Sequence, residues 1–351
     1  MTLPEAVLAV MWVGVTFYAL LGGADFGAGF WDLFAGGARK GHPQRDLIEH
    51  SIGPIWEANH VWLIFVVVVL WTAFPLAFAS VMSTLIIPLT LAAFGVIMRG
   101  AAFAFRKVTE ALWLKRIFGA SFAASSVVTP FFLGTVAGAV ATGRVPPGNA
   151  QGNLFTSWIN PTSLLGGTLA VGVCAYLAAV FLVRDAEREG HPDLVGAFRA
   201  RALGTGVALG VIALGGIFVL RADAPRLFDG LTGRALPLVV ASAVFGAVSL
   251  LLLVRRNFVA VRVTASLAVV AIVWGWAAGQ YPYLLDPGLT IEQAAAEPSV
   301  LSAVLISLGF GAILLVPSMT WMFVLFQRSH FENPPMANGA VSLRHLDRNR
   351  T

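Results

Sequence analysis

Charged side chains are scarce in this sequence. Only 12% of its 351 residues are Asp, Glu, Lys or Arg, whereas 58% are hydrophobic. A water-soluble domain of this length needs far more charge to cover its surface. The composition therefore excludes a soluble enzyme and a soluble binding module, and it predicts a polytopic membrane protein.

Cysteine is almost absent as well. A single cysteine, Cys174, excludes an internal disulfide and any cysteine-rich zinc or iron–sulfur site. The sequence also lacks a glycine-rich phosphate loop, a Ser/His/Asp arrangement and a metal-ligand spacing, so it offers no catalytic residue and no metal site. The net charge of +5 does not indicate nucleic acid, because the basic residues lie in short loops between apolar runs.

Nine apolar runs are long enough to cross a bilayer, whose hydrocarbon core needs about 20 helical residues. They lie at approximately 6–24, 54–79, 81–104, 117–142, 164–183, 203–220, 236–254, 261–280 and 300–326. The predicted fold is therefore all-α, with nine transmembrane helices and a tight turn near Ala79-Ser80. Residues 1–332 are predicted to form a single transmembrane domain, and the polar segment 333–351 a flexible cytoplasmic tail.

Lysine and arginine are distributed unevenly between the two sets of loops that nine spans create. Nineteen of the 23 basic residues, counting Arg99 with the loop after the third span, fall on the side of the carboxyl terminus. The other side holds only Arg144, Arg221, Arg226 and Arg234. Cytoplasmic loops carry the excess of basic residues. We therefore expect the amino terminus outside and the carboxyl terminus in the cytoplasm.

Two carboxylates lie at the cytoplasmic edge of the first two spans. Asp25 closes the first apolar run within a glycine-rich stretch, and Glu57 lies about one turn inside the second run. Ionisable side chains inside a membrane are costly, so such residues are functional candidates. A carboxyl group in a low-dielectric site can shuttle protons near neutral pH, which makes the pair a candidate entry to a proton path. The alternative is a hydrogen-bonded cluster that joins the helices.

Other polar residues follow Glu57 closely. Asn59 suits a role in joining helices, since an amide carries no charge. His60 shares a helical face with Trp56 and Glu57, because it lies four and three residues after them. It could be an axial haem ligand, but no second histidine is available across the membrane. A lone histidine is more often a hydrogen-bonded residue of a helix interface.

Two motifs at a fixed separation carry a resemblance to a known family. The first is Gly-Ala-Asp-Phe-Gly-Ala-Gly at 23–29, and the second is Ser-Ile-Gly-Pro-Ile-Trp-Glu-Ala-Asn-His-Val-Trp-Leu at 51–63. The second fits the family pattern Ser-Ile-x-Pro-x-Trp-Asp/Glu-x-Asn-x-Val-Trp-Leu throughout. Together with Gly-Asn-Leu-Phe at 152–155, the motifs make the sequence resemble subunit II of the cytochrome bd-type quinol oxidases, including the cyanide-insensitive oxidases, from end to end.

The resemblance implies a fold of two four-helix bundles plus one peripheral helix, located in the bacterial cytoplasmic membrane. It implies a heterodimer with a larger subunit I, which carries haem b and haem d. That complex oxidises quinol and reduces dioxygen to water in an electrogenic reaction. The present chain is then expected to hold no cofactor of its own. The resemblance leaves room for a small accessory subunit and for a lipid or structural quinone between the helices.

The resemblance also assigns roles by motif position. Asp25 and Glu57 fall on the family's acidic residues of a cytoplasmic proton path. Residues expected to support the path or the helix interface are Trp56, Asn59, His60 and Trp62. Many members have Asp in place of Glu57, a change that keeps the acid. Two alternatives stay open: a purely structural subunit, and a proton-coupled secondary transporter, although transporters place polar sites near the midplane, which is apolar here.

Overall fold

The computed structural model describes residues 1–37, 41–52, 56–109 and 111–332. Within these residues the elements of regular structure are helices and one short hairpin of strands β1 (Tyr283–Leu285) and β2 (Leu289–Thr290). The helices are α1 (Leu3–Phe17), α2 (Gly23–Leu33), α3 (His42–Ile52), α4 (Trp56–Ala73), α5 (Pro75–Thr84), α6 (Ile86–Val108), α7 (Leu112–Ala141), α8 (Pro161–Arg188), α9 (Pro192–Asp223), α10 (Pro225–Thr232), α11 (Leu236–Val254), α12 (Phe258–Gln280), α13 (Ile291–Ala294) and α14 (Pro298–Glu332).

Eight helical segments among the described residues are long and apolar enough to cross a membrane. They coincide with eight of the nine predicted runs, which confirms a polytopic, helical membrane protein. The remaining run, residues 54–79, is occupied by α4 and α5, whose described apolar stretches are shorter. The ninth span therefore stays a prediction.

The second and third predicted runs are each broken once, and the turn predicted at Ala79-Ser80 is wrong. The first break is at Phe74, whose φ of −136° and ψ of 60° are not helical. Pro75 follows, and proline disfavours the helical conformation in the residue before it. The second break is at Leu85, directly before α6. Ala79-Ser80 lies inside α5, so the short helix itself replaces the expected turn.

The first span is longer than the sequence predicts. Helices α1 and α2 are joined by a single π-helical turn, Tyr18–Gly22, into one segment that ends at Leu33. The prediction that Asp25 closes this span is therefore wrong, since Asp25 lies two turns before the end. Glycines on the continued part, α2, let it approach neighbouring helices closely. A Cβ atom at Gly27 would lie only 1.7 Å from the Cys174 carbonyl oxygen of α8.

Helix α8 forms the centre of the core within residues 1–301. Every residue from Cys174 to Val180 is buried. Helices α2, α7 and α9 pack around it. Tyr176 and Ser249 join α8 to α11 through a buried hydroxyl–hydroxyl hydrogen bond of 2.5 Å. The packing places the carboxylate of Asp25, on α2, on the inside of this assembly.

Polar contacts stabilise the loops at one end of the molecule, where α7 and α12 end. Arg144 makes a bidentate ion pair with Asp223, with N–O distances of 2.6 and 3.1 Å. These hydrogen bonds raise the pKa of the Arg144 guanidinium, so the pair stays charged. The loop is also fixed to α5, because the Gly148 amide donates to the Ser80 hydroxyl over 2.8 Å.

Residues 302–351 form a second unit, of which the described part is the remainder of α14. This helix contains Pro317 and has large exposed apolar side chains, among them Phe310 and Leu314. The predicted tail, 333–351, lies outside the described residues. The prediction of a single domain over 1–332 stays a prediction.

We predict that Gly27→Ala destabilises the protein, because the added Cβ would force α2 and α8 apart. Overpacking of this kind costs about 1–3 kcal/mol. The matched control is Gly210→Ala on α9, where a Cβ meets nothing within 4 Å. Thermal unfolding of the purified protein should show a lower midpoint for the first variant and no loss for the second. Equal midpoints would contradict the close approach of α2 and α8.

Candidate functional site

A fully buried ion pair joins α2 to α6. Arg99 Nη2 lies 2.6 Å from Asp25 Oδ1, and the two side chains are only 1% and 2% exposed. The same nitrogen also donates to the Asp25 carbonyl oxygen over 2.9 Å. Arg99 therefore binds both the side chain and the backbone of one residue, which fixes α2 in position and in rotation relative to α6.

Helix α7 completes the surroundings of the guanidinium. Arg99 Nη1 donates to the Ser126 hydroxyl. The guanidinium lies over the ring of Phe122, 4.3 Å from its centroid, and 5.0 Å from the centroid of Phe26. Gly29 on α2 leaves the space, since a Cβ there would come within 2.7 Å of Arg99 Nη1. Aromatic faces and hydrogen bonds thus replace the water that a charged group loses on burial.

Two polar atoms of the pair make no hydrogen bond to any described residue. They are Asp25 Oδ2 and Arg99 Nε, and both are buried. A buried polar atom without a partner costs free energy, and such groups usually mark ordered water or a functional role. Oδ1 is held by Arg99, so Oδ2 is the carboxylate oxygen that can accept a further hydrogen bond or a proton.

Helix α4 lies beside this pair and carries several of the predicted site residues. The Asn59 amide donates to the Leu21 carbonyl oxygen over 3.3 Å, within the π-helical turn of the first span. The Trp62 ring stacks on Phe17 at a centroid distance of 4.5 Å. Both contacts hold α4 against the first helical segment. They are the contacts expected of residues at a helix interface.

His60 lies in an aromatic cluster next to Asp25. Its ring centroid is 5.7 Å from that of Phe26 and 6.3 Å from that of Tyr18. The Tyr18 hydroxyl is buried and has no hydrogen-bond partner among the described residues. His60 and Tyr18 therefore extend the polar surroundings of Asp25 along the first span.

Glu57 and Trp56 belong to the first turn of α4, two and three residues before Asn59. Their side chains lie outside the described part of the structure. The backbone places α4 next to the first helical segment, as the predicted pairing of Asp25 with Glu57 requires. The separation of the two carboxyl groups stays a prediction.

A groove of about 620 Å³ reaches Asp25 from the side of α3. Apolar residues of the first span, α8 and α12 line most of it, with Ser51 and Asn59 among the polar residues. Asp185 and Arg262 also line it, and they form an ion pair of 2.5 Å. The groove thus joins a buried carboxylate to polar groups near the ends of α3 and α8.

Sequence reasoning missed Arg99, which it counted as a loop residue. The structure places Arg99 inside α6, nine residues before the helix ends at Val108. The signal was present in the sequence, since Arg99 stands alone in an apolar stretch and an intramembrane arginine needs a carboxylate partner. Without Arg99, the predicted basic side still holds eighteen residues against four, so the charge asymmetry persists.

The described residues contain no group of three or more His, Cys, Asp or Glu side chains placed to bind a metal ion. The site is instead a buried ion pair with an aromatic surround and a groove leading to it. Its chemistry is that of hydrogen bonding and charge, carried by Asp25, Arg99 and Ser126.

We predict that breaking the ion pair destabilises the protein strongly. Arg99→Met leaves the Asp25 carboxylate buried without its counter-charge, which costs about 3–5 kcal/mol. Asp25→Asn likewise leaves the Arg99 guanidinium buried without its counter-charge. Combining the two removes both charges, so the loss should be smaller than the sum of the single losses. Thermal unfolding of the three variants measures this coupling.

The control for this cycle is Arg116→Met, which removes an exposed arginine from α7. It should leave the unfolding midpoint within experimental error. Additive losses in the Asp25 and Arg99 variants would show that the two side chains do not interact.

Comparison with known proteins supplies the family. The family model for cytochrome bd terminal oxidase subunit II matches residues 3–326. The chain is 32% identical over 180 residues to cytochrome bd ubiquinol oxidase subunit 2 of Bacillus subtilis, covering 50% of this chain and 51% of that protein. It is 28% identical over 228 residues to cytochrome bd-I ubiquinol oxidase subunit 2 of Escherichia coli, covering 61% and 58%. These alignments span just over half the length of each relative.

A solved structure agrees over nearly the whole length. A chain of the bd oxidase from Geobacillus thermodenitrificans superposes with a TM-score of 0.74 at 25% identity, covering 93% of this chain and 99% of that one. The apolar helices and these relatives identify a multi-pass protein of the bacterial cytoplasmic membrane. Since the family model covers nearly all of the sequence, the chain belongs to the cytochrome bd terminal oxidase subunit II family.

Proposed function

We propose that this chain is the haem-free subunit II of a bd-type quinol oxidase. The complex transfers electrons from two quinol molecules to one dioxygen molecule, which takes up four protons and forms two water molecules. The chain supports a haem-bearing subunit I and offers protons a path from the cytoplasm. The observation that carries the proposal is the buried Asp25 carboxylate at the groove, held by Arg99 and with one oxygen left without a partner.

The proposed topology has nine spans, with the amino terminus outside and the carboxyl terminus in the cytoplasm. Helix α4 forms the described part of the second span, and α5 lies at the outer end before the chain returns as α6. The excess of basic residues on one side supports this orientation. It places the groove's polar residues Ser51, Asp185 and Arg262 toward the cytoplasm, where protons enter.

The proton path is proposed to use two carboxyl groups in sequence. Glu57 lies at the first turn of α4 and accepts protons from the cytoplasmic side. Asp25 Oδ2 is the next acceptor, because Oδ1 is occupied by Arg99. Arg99 and Ser126 act as positioning residues, since they hold the carboxylate at one place without moving a proton themselves.

The remaining residues around the path keep the helices together. Asn59 and Trp62 fix α4 to the first span, and His60 packs against Phe26. The haems b and d are assigned to the partner subunit, where they supply the electron transfer and the oxygen chemistry. The resemblance to the family supports this assignment and does not require His60 as a ligand.

We predict that the chain produced alone is colourless in a visible difference spectrum. Co-production with its partner should give a copurifying pair with haem b and haem d bands, because the haem ligands belong to subunit I. Haem bands in the isolated chain would overturn the haem-free assignment. A stable complex without haem would favour a transporter.

We predict that Glu57→Gln lowers oxidase turnover about tenfold or more, because an amide cannot carry a proton. Haem content and haem spectrum should persist, and Glu57→Asp should retain most of the turnover. A matched control is Glu292→Gln, which neutralises an exposed acid of α13. Unchanged turnover in Glu57→Gln, measured as oxygen consumption with quinol, would favour a purely structural subunit.

A further inference from the structure

A second polar pocket lies at the end of the molecule where α12 finishes, away from Asp25. Its volume is about 410 Å³. Two arginines, Arg226 and Arg234, line it together with two carboxylates, Asp229 and Asp286. The net charge of these four groups is zero. The pocket therefore suits a ligand that carries both a negative and a positive group.

Close packing of small residues shapes this pocket. Helix α10 lies on α12, and a Cβ at Gly230 would come within 2.0 Å of the Gly279 carbonyl oxygen. Ala141 at the end of α7 also lines the space. Because these walls have almost no side chains, they leave room between the charged groups.

The charged groups reach the pocket from different elements and are differently exposed. Arg226 Nη1 lies 3.1 Å from Asp286 Oδ1, and the two side chains are 60% and 11% exposed. Arg234 is exposed, with its guanidinium 5.5 Å from the centroid of the Tyr281 ring. Neither guanidinium has used all of its donors in these contacts, so both can bind a phosphate oxygen.

The side chain of Gln280 adds a hydrogen-bond acceptor to which no described residue donates. Its Nε2 atom donates to the Leu284 carbonyl oxygen over 3.0 Å. Its Oε1 atom is buried and has no hydrogen-bond partner among the described residues. A ligand that fills the pocket well must therefore bring an N–H or O–H donor to this oxygen.

The position of the pocket indicates where such a ligand comes from. Tyr281 and Tyr283 line it, and Trp276 and Trp274 lie about one and two turns earlier on α12. Tryptophan and tyrosine concentrate at the depth of the lipid headgroups. The hydroxyl of Tyr281 donates to the Glu5 carboxylate over 2.9 Å. This hydrogen bond joins the end of α12 to the start of α1.

We propose that the pocket binds the phosphoethanolamine headgroup of a membrane phospholipid. Arg226 and Arg234 bind the phosphate, as guanidinium groups do. The ammonium group donates to Gln280 Oε1 and lies near Asp229 and Asp286. This arrangement distinguishes phosphatidylethanolamine from phosphatidylcholine, whose trimethylammonium group has no N–H, and from phosphatidylglycerol, which has no cation.

The test is retention of lipid by the purified, assembled complex. The complex is delipidated in detergent, incubated with phosphatidylethanolamine, phosphatidylcholine or phosphatidylglycerol of the same chain length, and analysed by native mass spectrometry. The wild-type complex should retain one phosphatidylethanolamine in preference to the other two. Arg234→Gln and Gln280→Leu should each weaken that retention about tenfold. Arg221→Gln, which removes an exposed arginine outside the pocket, should not.

Equal retention of phosphatidylcholine and phosphatidylethanolamine would overturn the headgroup assignment. So would an equal loss of retention in Arg221→Gln and in the two pocket variants. Soluble O-phosphoethanolamine supplies the same chemistry without acyl chains. If O-phosphoethanolamine bound to the pocket while phosphatidylethanolamine was not retained, the assignment to a membrane lipid would be wrong. The midpoint of thermal unfolding, measured on each sample, confirms that the variants remain folded.

Discussion

The buried ion pair between Asp25 and Arg99 is the constraint around which this membrane protein is arranged. Two charges at 1% and 2% exposure are stable only when each compensates the other and nearby dipoles contribute. Arg99 meets this need through Asp25, the Asp25 carbonyl oxygen and Ser126. Three helices, α2, α6 and α7, must therefore meet at one point.

The glycines of α2 are a consequence of that meeting point. Gly29 makes room for the guanidinium and the Ser126 side chain, and Gly27 lets the backbone of α8 approach. The first helical segment continues past Asp25, and its glycine-rich part is buried against α7 and α8.

The same geometry suits a proton path better than a transporter. The carboxylate faces a groove with polar groups at Ser51 and Asp185. A transporter site is expected near the midplane, at broken helices with exposed polar backbone. The breaks at Phe74 and Leu85 lie instead at the ends of apolar helices.

Most of the architecture could be predicted from the sequence, because apolar runs of about 20 residues are read directly. Eight of the nine runs correspond to described helices that are long and apolar enough to cross a membrane. Asp25 was predicted as a candidate site residue because a carboxylate in lipid is costly. Its partner Arg99 was not predicted as a site residue, since the count of basic residues in each loop assigned Arg99 to the cytoplasmic side. Pairing depends on which helices pack together, and periodicity alone does not specify that. The short helix α5 was missed although Pro75 gave a local signal for its start.

The most direct test of the central claim is the turnover of the Asp25→Asn/Arg99→Met complex, normalised to its haem content. Removing both charges keeps the helix junction free of an unpaired charge. If Asp25 carries protons, the complex should assemble with normal haem spectra and its oxygen consumption should fall about tenfold or more. Wild-type turnover in this variant would show that the pair only holds the helices together.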